Sequence, residues 1–261
     1  MHSAQRQDLI VNYISLHGAT SVQTLVDTLH YSTATINRDL NELQKLGRVR
    51  RSYGIVERYD QTYSIPKARR EHHLEIKRAL SQKAAEMVKD NDTIFLDSST
   101  TVECMGEFLR EKRNLTVITN NAVLGYLCDF GVRVIILGGR VIEIPYVYGD
   151  YSTVELIQTF RANKFFFSVA GMSCAGELND YGEMIHGIRR AMMRQSDQSF
   201  LLLDKEKWGR QNNRILTTLD SVSGVISDRD YPEEFTRLFP GTVFTRVYTD
   251  SGKDNNPEEK A

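Results

Sequence analysis

The sequence predicts an α/β protein in two parts, a small domain of short helices followed by a larger domain built on a mainly parallel sheet. From residue 93 onward, short apolar runs rich in β-branched residues alternate with helical segments. Such runs predict strands that are covered by helices on both faces. Before residue 58, three short helical patterns precede a basic, β-prone stretch. Two folding units of different size are therefore expected.

The segment between these parts lacks a helical or strand period. Residues 58–73 contain Asp60, Ser64 and several cations, and Pro66 opposes helix at the residue before it. The predicted domains are therefore 1–57 and 74–248, joined by a linker at 58–73. Residues 249–261 are charged and lack apolar anchors, which predicts a disordered tail.

The small domain is organised around a helix predicted over residues 33–46. Ser32 can cap its start and Gly47 can end it. Its apolar stripe comprises Ile36, Leu40, Leu43 and Leu46, and its opposite face carries Thr33, Thr35, Asn37, Arg38 and Asn41. Two short helices precede it, and the short turn at 30–31 makes the second and third cross steeply. This is helix-turn-helix geometry, although an ordinary amphipathic helix with a solvated face would show the same stripe.

A basic stretch at 48–56 follows, with a turn near Gly54, and it predicts a hairpin wing that lies against phosphates. The net charge of the whole chain is only −1, so DNA binding requires a local excess of positive charge. From Lys45 to Arg78 the chain has ten basic and four acidic residues. The positive charge is therefore gathered where the wing is predicted.

Residues 6–56 resemble the winged helix-turn-helix of the DeoR family of bacterial sugar-metabolism regulators. The family motif reads S-x-x-T-I-R-R-D-L-x-x-L, followed by a glycine and a basic wing. Asn37 stands where the family has its first arginine, and Ile55 replaces the second wing glycine. Asparagine favours an adenine edge where arginine favours guanine. The predicted DNA-binding residues are Ser32, Thr33, Thr35, Asn37 and Arg38 on the helix, and Arg48, Arg50 and Arg51 against phosphates.

Polar loops follow the predicted strands of the larger domain. In open parallel sheets, ligands bind outside the carboxyl ends of the strands. The first such loop, residues 97–101, reads D-S-S-T-T and can form a phosphate cradle from backbone N–H groups and hydroxyls. A helix N-cap with polar neighbours explains the same loop equally well. Later loops contain Asn120, the pair Gly138-Gly139, and Lys207.

In the same order, these loops resemble those of the DeoR-family sensor domain, whose fold is like that of ribose-5-phosphate isomerase. The resemblance covers about residues 6–248. It implies an effector site for a phosphorylated sugar or polyol, lined by Lys77, Asp97, Ser98, Ser99, Thr100, Thr101, Asn120, Gly138, Gly139 and Lys207. The family segment E-A-E-V-K-R-A-M is represented by residues 185–192, which lack both carboxylates. Glu183 is the candidate replacement.

The resemblance implies a repressor of a carbohydrate-utilisation operon, whose affinity for operator DNA is changed by the effector. A palindromic operator predicts a homo-oligomer. The alternative is a sugar-phosphate isomerase-like enzyme, which needs a positioned carboxylate base. Candidates are Asp97, Glu103, Glu183 and Asp204, but no loop offers paired carboxylates. A winged domain that binds a protein partner is a third possibility. No catalytic residue and no cofactor are predicted.

The remaining features indicate a cytoplasmic protein. The three cysteines are far apart in the sequence and lack zinc-type spacing, so reduced, mostly buried thiols are expected. No apolar run of about 18 residues could span a bilayer, and membrane association is not expected. His72 and His73 are adjacent and would point in different directions on a helix, so no metal site is predicted there.

Overall fold

The computed structural model describes residues 3–17, 20–45, 49–52, 54–58, 66–142 and 146–249, and it divides the chain into two compact units, 1–72 and 73–261. The first unit contains the helices α1 (Ser3–His17), α2 (Val22–Leu29), α3 (Thr33–Lys45) and α4 (Pro66–Glu71), and the strands β1 (Thr20–Ser21), β2 (Val49–Ser52) and β3 (Ile55–Arg58). β2 and β3 form an antiparallel hairpin, and β1 pairs with β3.

The helix α3 confirms the helix predicted to begin at residue 33. Its start is capped because the Ser32 side chain accepts a hydrogen bond from the Thr35 N–H at 3.2 Å. Ile36, Leu40 and Leu43 are fully buried in the core of the unit. The predicted end at Leu46 and Gly47 lies outside the described residues. The predicted hairpin turn is present, and Gly54 adopts φ +80° there.

The segment predicted as a linker contains a helix. Pro66 opposes helix only at the residue that precedes it, and its own fixed φ suits the first helical position. The helix α4 accordingly begins at Pro66 and continues to Glu71. The proline is therefore the start of a helix and not a sign that the whole segment lacks secondary structure.

The second unit is built on a seven-stranded, fully parallel sheet with the order β13-β12-β10-β7-β4-β5-β6. These strands are β4 (Thr93–Leu96), β5 (Thr116–Thr119), β6 (Arg133–Ile136), β7 (Ala162–Phe167), β10 (Ser196–Leu203), β12 (Gly224–Ser227) and β13 (Val243–Arg246). The chain leaves β4 toward one edge and returns to β7 on the other side. The strand order therefore reverses between β4 and β7, which is where an open parallel sheet forms its ligand crevice.

Helices cover both faces of this sheet. They are α5 (Leu74–Glu86), α6 (Thr100–Glu103), α7 (Gly106–Leu109), α8 (Tyr151–Ile157), α9 (Glu183–Arg194) and α10 (Glu233–Arg237), together with 3₁₀ turns at Ala122–Phe130, Lys205–Lys207 and Leu219–Ser221. Successive side chains of a strand point to opposite faces. Phe165 and Phe167 accordingly pack in one core layer, and Phe166 packs in the other. The predicted α/β class and mainly parallel sheet are confirmed.

Three features differ from the sequence expectation. A small antiparallel sheet forms from β8 (Gly171–Met172), β9 (Glu177–Asp180) and β11 (Arg214–Thr218), where only polar loops were expected. The helix expected after β4 is divided into α6 and α7, and a 3₁₀ helix follows β5. The strands of the small sheet and the helices α6 and α7 have two to five residues, too few for their periodicity to be recognised in a sequence.

Two further expectations can be compared with the structure. Cys104, Cys128 and Cys174 are free cysteines. The expectation that they are mostly buried is wrong, because Cys104 is half-buried and Cys128 and Cys174 are exposed. Within the part of the chain that the structure describes, no helix combines the length and the apolar character needed to cross a lipid bilayer.

Candidate functional site

The polar face of α3 is open to solvent. Thr33, Arg38 and Asn41 are exposed, and Thr35 and Asn37 are half-buried. The hydroxyl oxygens of Ser32 and Thr35 lie 2.9 Å apart at the start of the helix, so Thr35 is hydrogen-bonded to the side chain that caps it. The predicted base-reading residues therefore share one accessible surface, opposite the apolar stripe.

A buried ion pair holds this helix against α1. Asp39 is fully buried, and its carboxylate accepts two hydrogen bonds from the Arg6 guanidinium, one of them from Nη2 at 2.9 Å. The hydrogen bond to Asp39 raises the pKa of Arg6 above its usual value. The guanidinium also lies 5.5 Å from the centre of the Tyr31 ring. Arg6 was not among the predicted functional residues, although an arginine in line with Ile10 and Ile14 on an apolar stripe is a detectable signal.

The wing contributes a second guanidinium to the same helix. Arg51 donates a hydrogen bond from Nη1 to Asn41 Oδ1 at 2.9 Å and another from Nη2 to Asn37 Oδ1 at 2.6 Å. Arg48 and the side chain of Arg50 lie outside the described residues, so their predicted phosphate contacts stay predictions. Arg51 was predicted among the phosphate-binding residues, and in the structure it lies on the polar face of α3.

The predicted cradle in the second unit follows β4 at the strand-order reversal. Residues 97–101 are all buried, and Ser99 caps α6 because its hydroxyl accepts a hydrogen bond from the Val102 N–H at 3.2 Å. Lys77 Nζ, on α5, donates a hydrogen bond to Thr100 Oγ1 at 3.0 Å. The structure therefore brings Lys77, which the family resemblance assigns to the effector site, into contact with the loop.

The Asp97 carboxylate is occupied by contacts within the protein. Its Oδ1 accepts the Ser99 N–H at 2.9 Å, and its Oδ2 accepts the Ser168 N–H at 3.2 Å. The same Oδ2 accepts Arg189 Nε at 2.9 Å and lies 2.8 Å from Arg189 Nη2. Both oxygens are therefore engaged. Asp97, predicted as an effector ligand and considered as a catalytic base, serves in this geometry to hold the loop.

Arg189 also forms a buried ion pair with Asp180, at the end of β9. Burial alone would lower the pKa of Arg189, but the carboxylates of Asp180 and Asp97 outweigh burial and raise it. One arginine on α9 thus joins the loop after β4 to the small antiparallel sheet. Arg189 was not among the predicted functional residues. Its signal was an arginine on the buried stripe of α9, between Ile185 and Met192.

Lys207 approaches the same place from the loop after β10. Its Nζ donates a hydrogen bond to Ser168 Oγ at 2.9 Å and lies 3.4 Å from Asp204 Oδ2. Burial alone would raise the pKa of Asp204, but the nearby Lys207 ammonium outweighs burial and lowers it. Because the Ser168 N–H binds Asp97, Lys207 and the 97–101 loop converge on one residue at the strand-order reversal.

Asn120 carries a buried acceptor at the end of β5. Its Nδ2 donates a hydrogen bond to the Tyr148 carbonyl oxygen at 2.9 Å, which places the aromatic loop 146–150 beside the site. Its Oδ1 is buried and has no hydrogen-bond partner among the described residues. A buried acceptor without a donor costs free energy, and a ligand hydroxyl would satisfy it.

The predicted glycine pair shapes this region through the backbone. Gly139 has φ +138°, and a Cβ there would lie 2.7 Å from Thr153 Oγ1 and 3.0 Å from the Gly149 backbone. The Thr153 hydroxyl in turn donates a hydrogen bond to the Gly138 carbonyl oxygen at 2.6 Å. Glycine is required at 139 because the 149–153 segment packs directly against it.

Glu183, the candidate replacement for the missing family carboxylates, lies elsewhere. Its side chain is 79% exposed and 3.4 Å from Arg214. It lines a surface cleft of about 380 Å³ together with Tyr151, Met184 and His186. Asp180, which was not predicted for this role, is the carboxylate that contacts Arg189. Glu183 does not reach Arg189 because it lies at the solvent-facing start of α9.

Each of the two units matches a known protein family. Residues 6–62 match the DeoR-like helix-turn-helix domain, and residues 72–229 match the DeoR C terminal sensor domain. The uncharacterized HTH-type transcriptional regulator YulB of Bacillus subtilis (strain 168) is 32% identical over 229 residues, covering 86% of this chain and 88% of that protein.

Two relatives in Escherichia coli (strain K12) are described more fully. The L-fucose operon activator is 29% identical and covers 86% of this chain and 95% of its own length. The glycerol-3-phosphate regulon repressor is 26% identical, with 89% and 93% covered. Among solved structures, ribose 5 phosphate isomerase A from Neisseria gonorrhoeae overlaps with 51% of this chain and 52% of its own, at a TM-score of 0.37 and 17% identity.

The family matches cover both units, and the relatives are aligned over nearly their whole lengths. The chain belongs to the DeoR family of DNA-binding transcriptional regulators of sugar metabolism, which are not enzymes.

Proposed function

We propose that this protein is a cytoplasmic repressor of a carbohydrate-utilisation operon, and that a phosphorylated sugar or polyol changes its affinity for operator DNA. Residues 1–57 bind the operator, residues 74–248 bind the effector, and the 58–73 segment transmits the change. The protein acts as a homo-oligomer because paired recognition helices read a palindromic operator. The observation that carries the effector proposal is the buried acceptor of Asn120 beside a hydroxyl-rich loop approached by two lysines.

Charge and hydrogen bonding at the site favour a phosphate group. Lys77 and Lys207 bring ammonium groups to hydroxyl oxygens of Thr100 and Ser168. The adjacent Asp97 is paired with Arg189, which it shares with Asp180, and this pairing lessens the repulsion between Asp97 and an anion entering the cradle. Lysine ammonium and hydroxyl groups are donors suited to phosphate oxygens. We assign the effector phosphate to the cradle of residues 98–101, Lys77 and Lys207.

The second half of the proposed effector is a polyhydroxy chain. Asn120 Oδ1 requires a hydroxyl or N–H donor, and a sugar hydroxyl next to the phosphate supplies one. The relatives are consistent with this chemistry, since their names refer to an L-fucose operon and a glycerol-3-phosphate regulon. They include an activator and a repressor. We assign repression to this chain. Release of the operator when the effector binds is what the family resemblance implies.

Trp208, the single tryptophan of the chain, provides the test because it follows Lys207 directly. Sugar phosphates, the matching unphosphorylated sugars and inorganic phosphate are titrated while Trp208 emission is followed. Binding of the same full-length protein to a promoter duplex is measured in parallel. One sugar phosphate should shift the emission and weaken duplex binding by about 5- to 150-fold, the range expected for a coupling of 1–3 kcal/mol.

A matched pair of variants locates the response. Lys77→Gln should abolish the response to the sugar phosphate and retain duplex binding. Lys83→Gln, an exposed position on the same helix, should respond as the wild type does. If no phosphorylated sugar changes either signal, the effector assignment is wrong. If the protein prefers no promoter fragment over random duplex, the DNA-binding assignment is wrong.

A further inference from the structure

The contacts of Arg51 suggest a role in reading bases. Arg51 comes from β2 of the wing, yet its two terminal nitrogens bind side chains of α3. The two acceptors, Asn37 and Asn41, are four residues apart and therefore lie one above the other on the same face of the helix. The guanidinium consequently spans one turn of the polar face that the proposed function places in the major groove.

Asn37 is already engaged by these contacts. Its Oδ1 accepts the hydrogen bond from Arg51, and its Nδ2 donates a hydrogen bond to the Thr33 carbonyl oxygen at 3.0 Å. Bidentate pairing with adenine needs both the amide oxygen and the amide nitrogen of asparagine. In this arrangement Asn37 is held as an acceptor for Arg51 and is not poised to read adenine.

Arg51 itself keeps donors for a second partner. Arginine has five N–H groups in a rigid fork, and the contacts with Asn37 and Asn41 use one from each terminal nitrogen. A guanidinium fixed on the groove-facing surface of a helix presents paired donors, which match the O6 and N7 acceptors of guanine. A phosphate contact would not need this attachment to two amides of α3.

We propose that Arg51 is a base-reading residue that donates to a guanine edge, and that Asn37 and Asn41 orient it. This inference rests on the proposed DNA-binding function. It replaces the adenine preference expected from Asn37 with a guanine preference delivered from the wing. It also predicts that Arg51 contributes to sequence discrimination and not to the general attraction between the protein and DNA.

Selection from a pool of random duplexes with the full-length protein tests this role. The wild type should select sites with a conserved G·C pair in each half-site. Arg51→Ala should lose that preference and bind the selected site about 5- to 150-fold more weakly, the range that corresponds to 1–3 kcal/mol for one bidentate contact. Its affinity for random duplex, and the salt dependence of that affinity, should be unchanged.

Three further variants sharpen the test. Arg51→Lys should not restore the preference because lysine lacks the planar fork. Asn41→Ala, which removes one orienting partner, should relax the same G·C position by a smaller factor. Arg50→Ala, predicted to remove a phosphate contact, should weaken all duplexes alike and lower the magnitude of the salt slope by about 0.9.

Other outcomes of these binding experiments would contradict the proposal. If Arg51→Ala weakens selected and random duplexes by the same factor and makes the salt slope shallower, as expected of Arg50→Ala, Arg51 is a phosphate contact and the inference is overturned. If Arg51→Ala still selects the same G·C pair, another residue reads it. If the wild type selects no sequence, the DNA-binding proposal itself has failed, whatever the variants do.

Discussion

The two units keep their functional polar groups in opposite environments. On α3 the polar side chains of Thr33, Arg38 and Asn41 are exposed, whereas every residue of the 97–101 loop is buried. Exposed groups are solvated whether the chain is folded or not, so they contribute little to stability. Buried polar groups need partners inside the protein. Substitutions on the polar face of α3 should therefore change DNA binding without changing stability. Substitutions in the buried 97–101 loop should change both function and stability.

Both units nevertheless use a buried arginine to fix the element that carries the site. Arg6 holds Asp39 of α3, and Arg189 holds Asp97 of the cradle loop. The two arginines differ in the number of carboxylates that each one binds. Arg6 binds one carboxylate on one helix, while Arg189 bridges two carboxylates from the large and small sheets. Substitution of Arg189 should consequently destabilise more of the structure than substitution of Arg6.

The largest effect is expected from Arg189→Met. It leaves Asp97 and Asp180 buried without their cation, and breaking a buried pair on one side costs about 3–5 kcal/mol. Urea unfolding followed by Trp208 fluorescence reports on the sensor unit alone because the chain has one tryptophan. Arg161→Met, at an exposed arginine, is the control. A stability for Arg189→Met within about 0.5 kcal/mol of the control would contradict the proposed importance of the ion pairs.

A smaller loss is expected from Gly139→Ala. The added Cβ meets Thr153 Oγ1 and the Gly149 backbone, and φ +138° is strained for alanine. The free energy of unfolding should fall by about 1–3 kcal/mol. Gly138→Ala is the matched control because a Cβ at position 138 meets no atom within 4 Å. Equal losses for the two neighbours would show that packing against Gly139 does not determine the stability.

His186 predicts a pH dependence in the sensor unit. Burial lowers its pKa, opposed by Asp180 and assisted by Arg189, Arg190 and Arg214. Below about pH 6.5 the unfolded chain therefore binds more protons at this position than the folded chain does, and stability falls as the pH decreases. Urea midpoints measured by Trp208 emission from neutral to mildly acidic pH should show this slope.

The control for that slope is His186→Asn, which removes the titrating group and should flatten the dependence. His30→Asn, at an exposed position in the smaller unit, should leave the Trp208 curve as it is in the wild type. A slope that persists unchanged in His186→Asn would assign the pH dependence to another group.

The smallest effect on stability is expected from Arg38→Ala. The side chain is exposed on α3, so its removal should change the free energy of unfolding by less than about 0.5 kcal/mol. Affinity for the selected duplex should nevertheless fall by about 5- to 150-fold if Arg38 contacts a base. Circular dichroism melting and fluorescence anisotropy measure the two quantities. A clear loss of stability in Arg38→Ala would show that the exposed side chains of α3 also stabilise the fold, contrary to the proposed difference between the two units.

Much of the architecture follows from local patterns. The start of α3 was predicted to the residue because its cap and stripe lie within one stretch of sequence. The central strands were recognised because a strand buried on both faces is a continuous apolar run. The small antiparallel sheet was not recognised, since its strands have only two to five residues.

The sequence by itself determined the two units, their periodic elements and the order of the polar loops, because each of these depends on neighbouring residues. Only the tertiary structure decided which polar side chains are paired with each other inside the protein. Asp97 and Arg189 are 92 positions apart, and Arg6 and Asp39 are 33 apart. Such partners meet through strand order and helix packing, which a local pattern does not encode. Tertiary contacts therefore turned Asp97 into a loop anchor and placed Arg51 on the recognition helix.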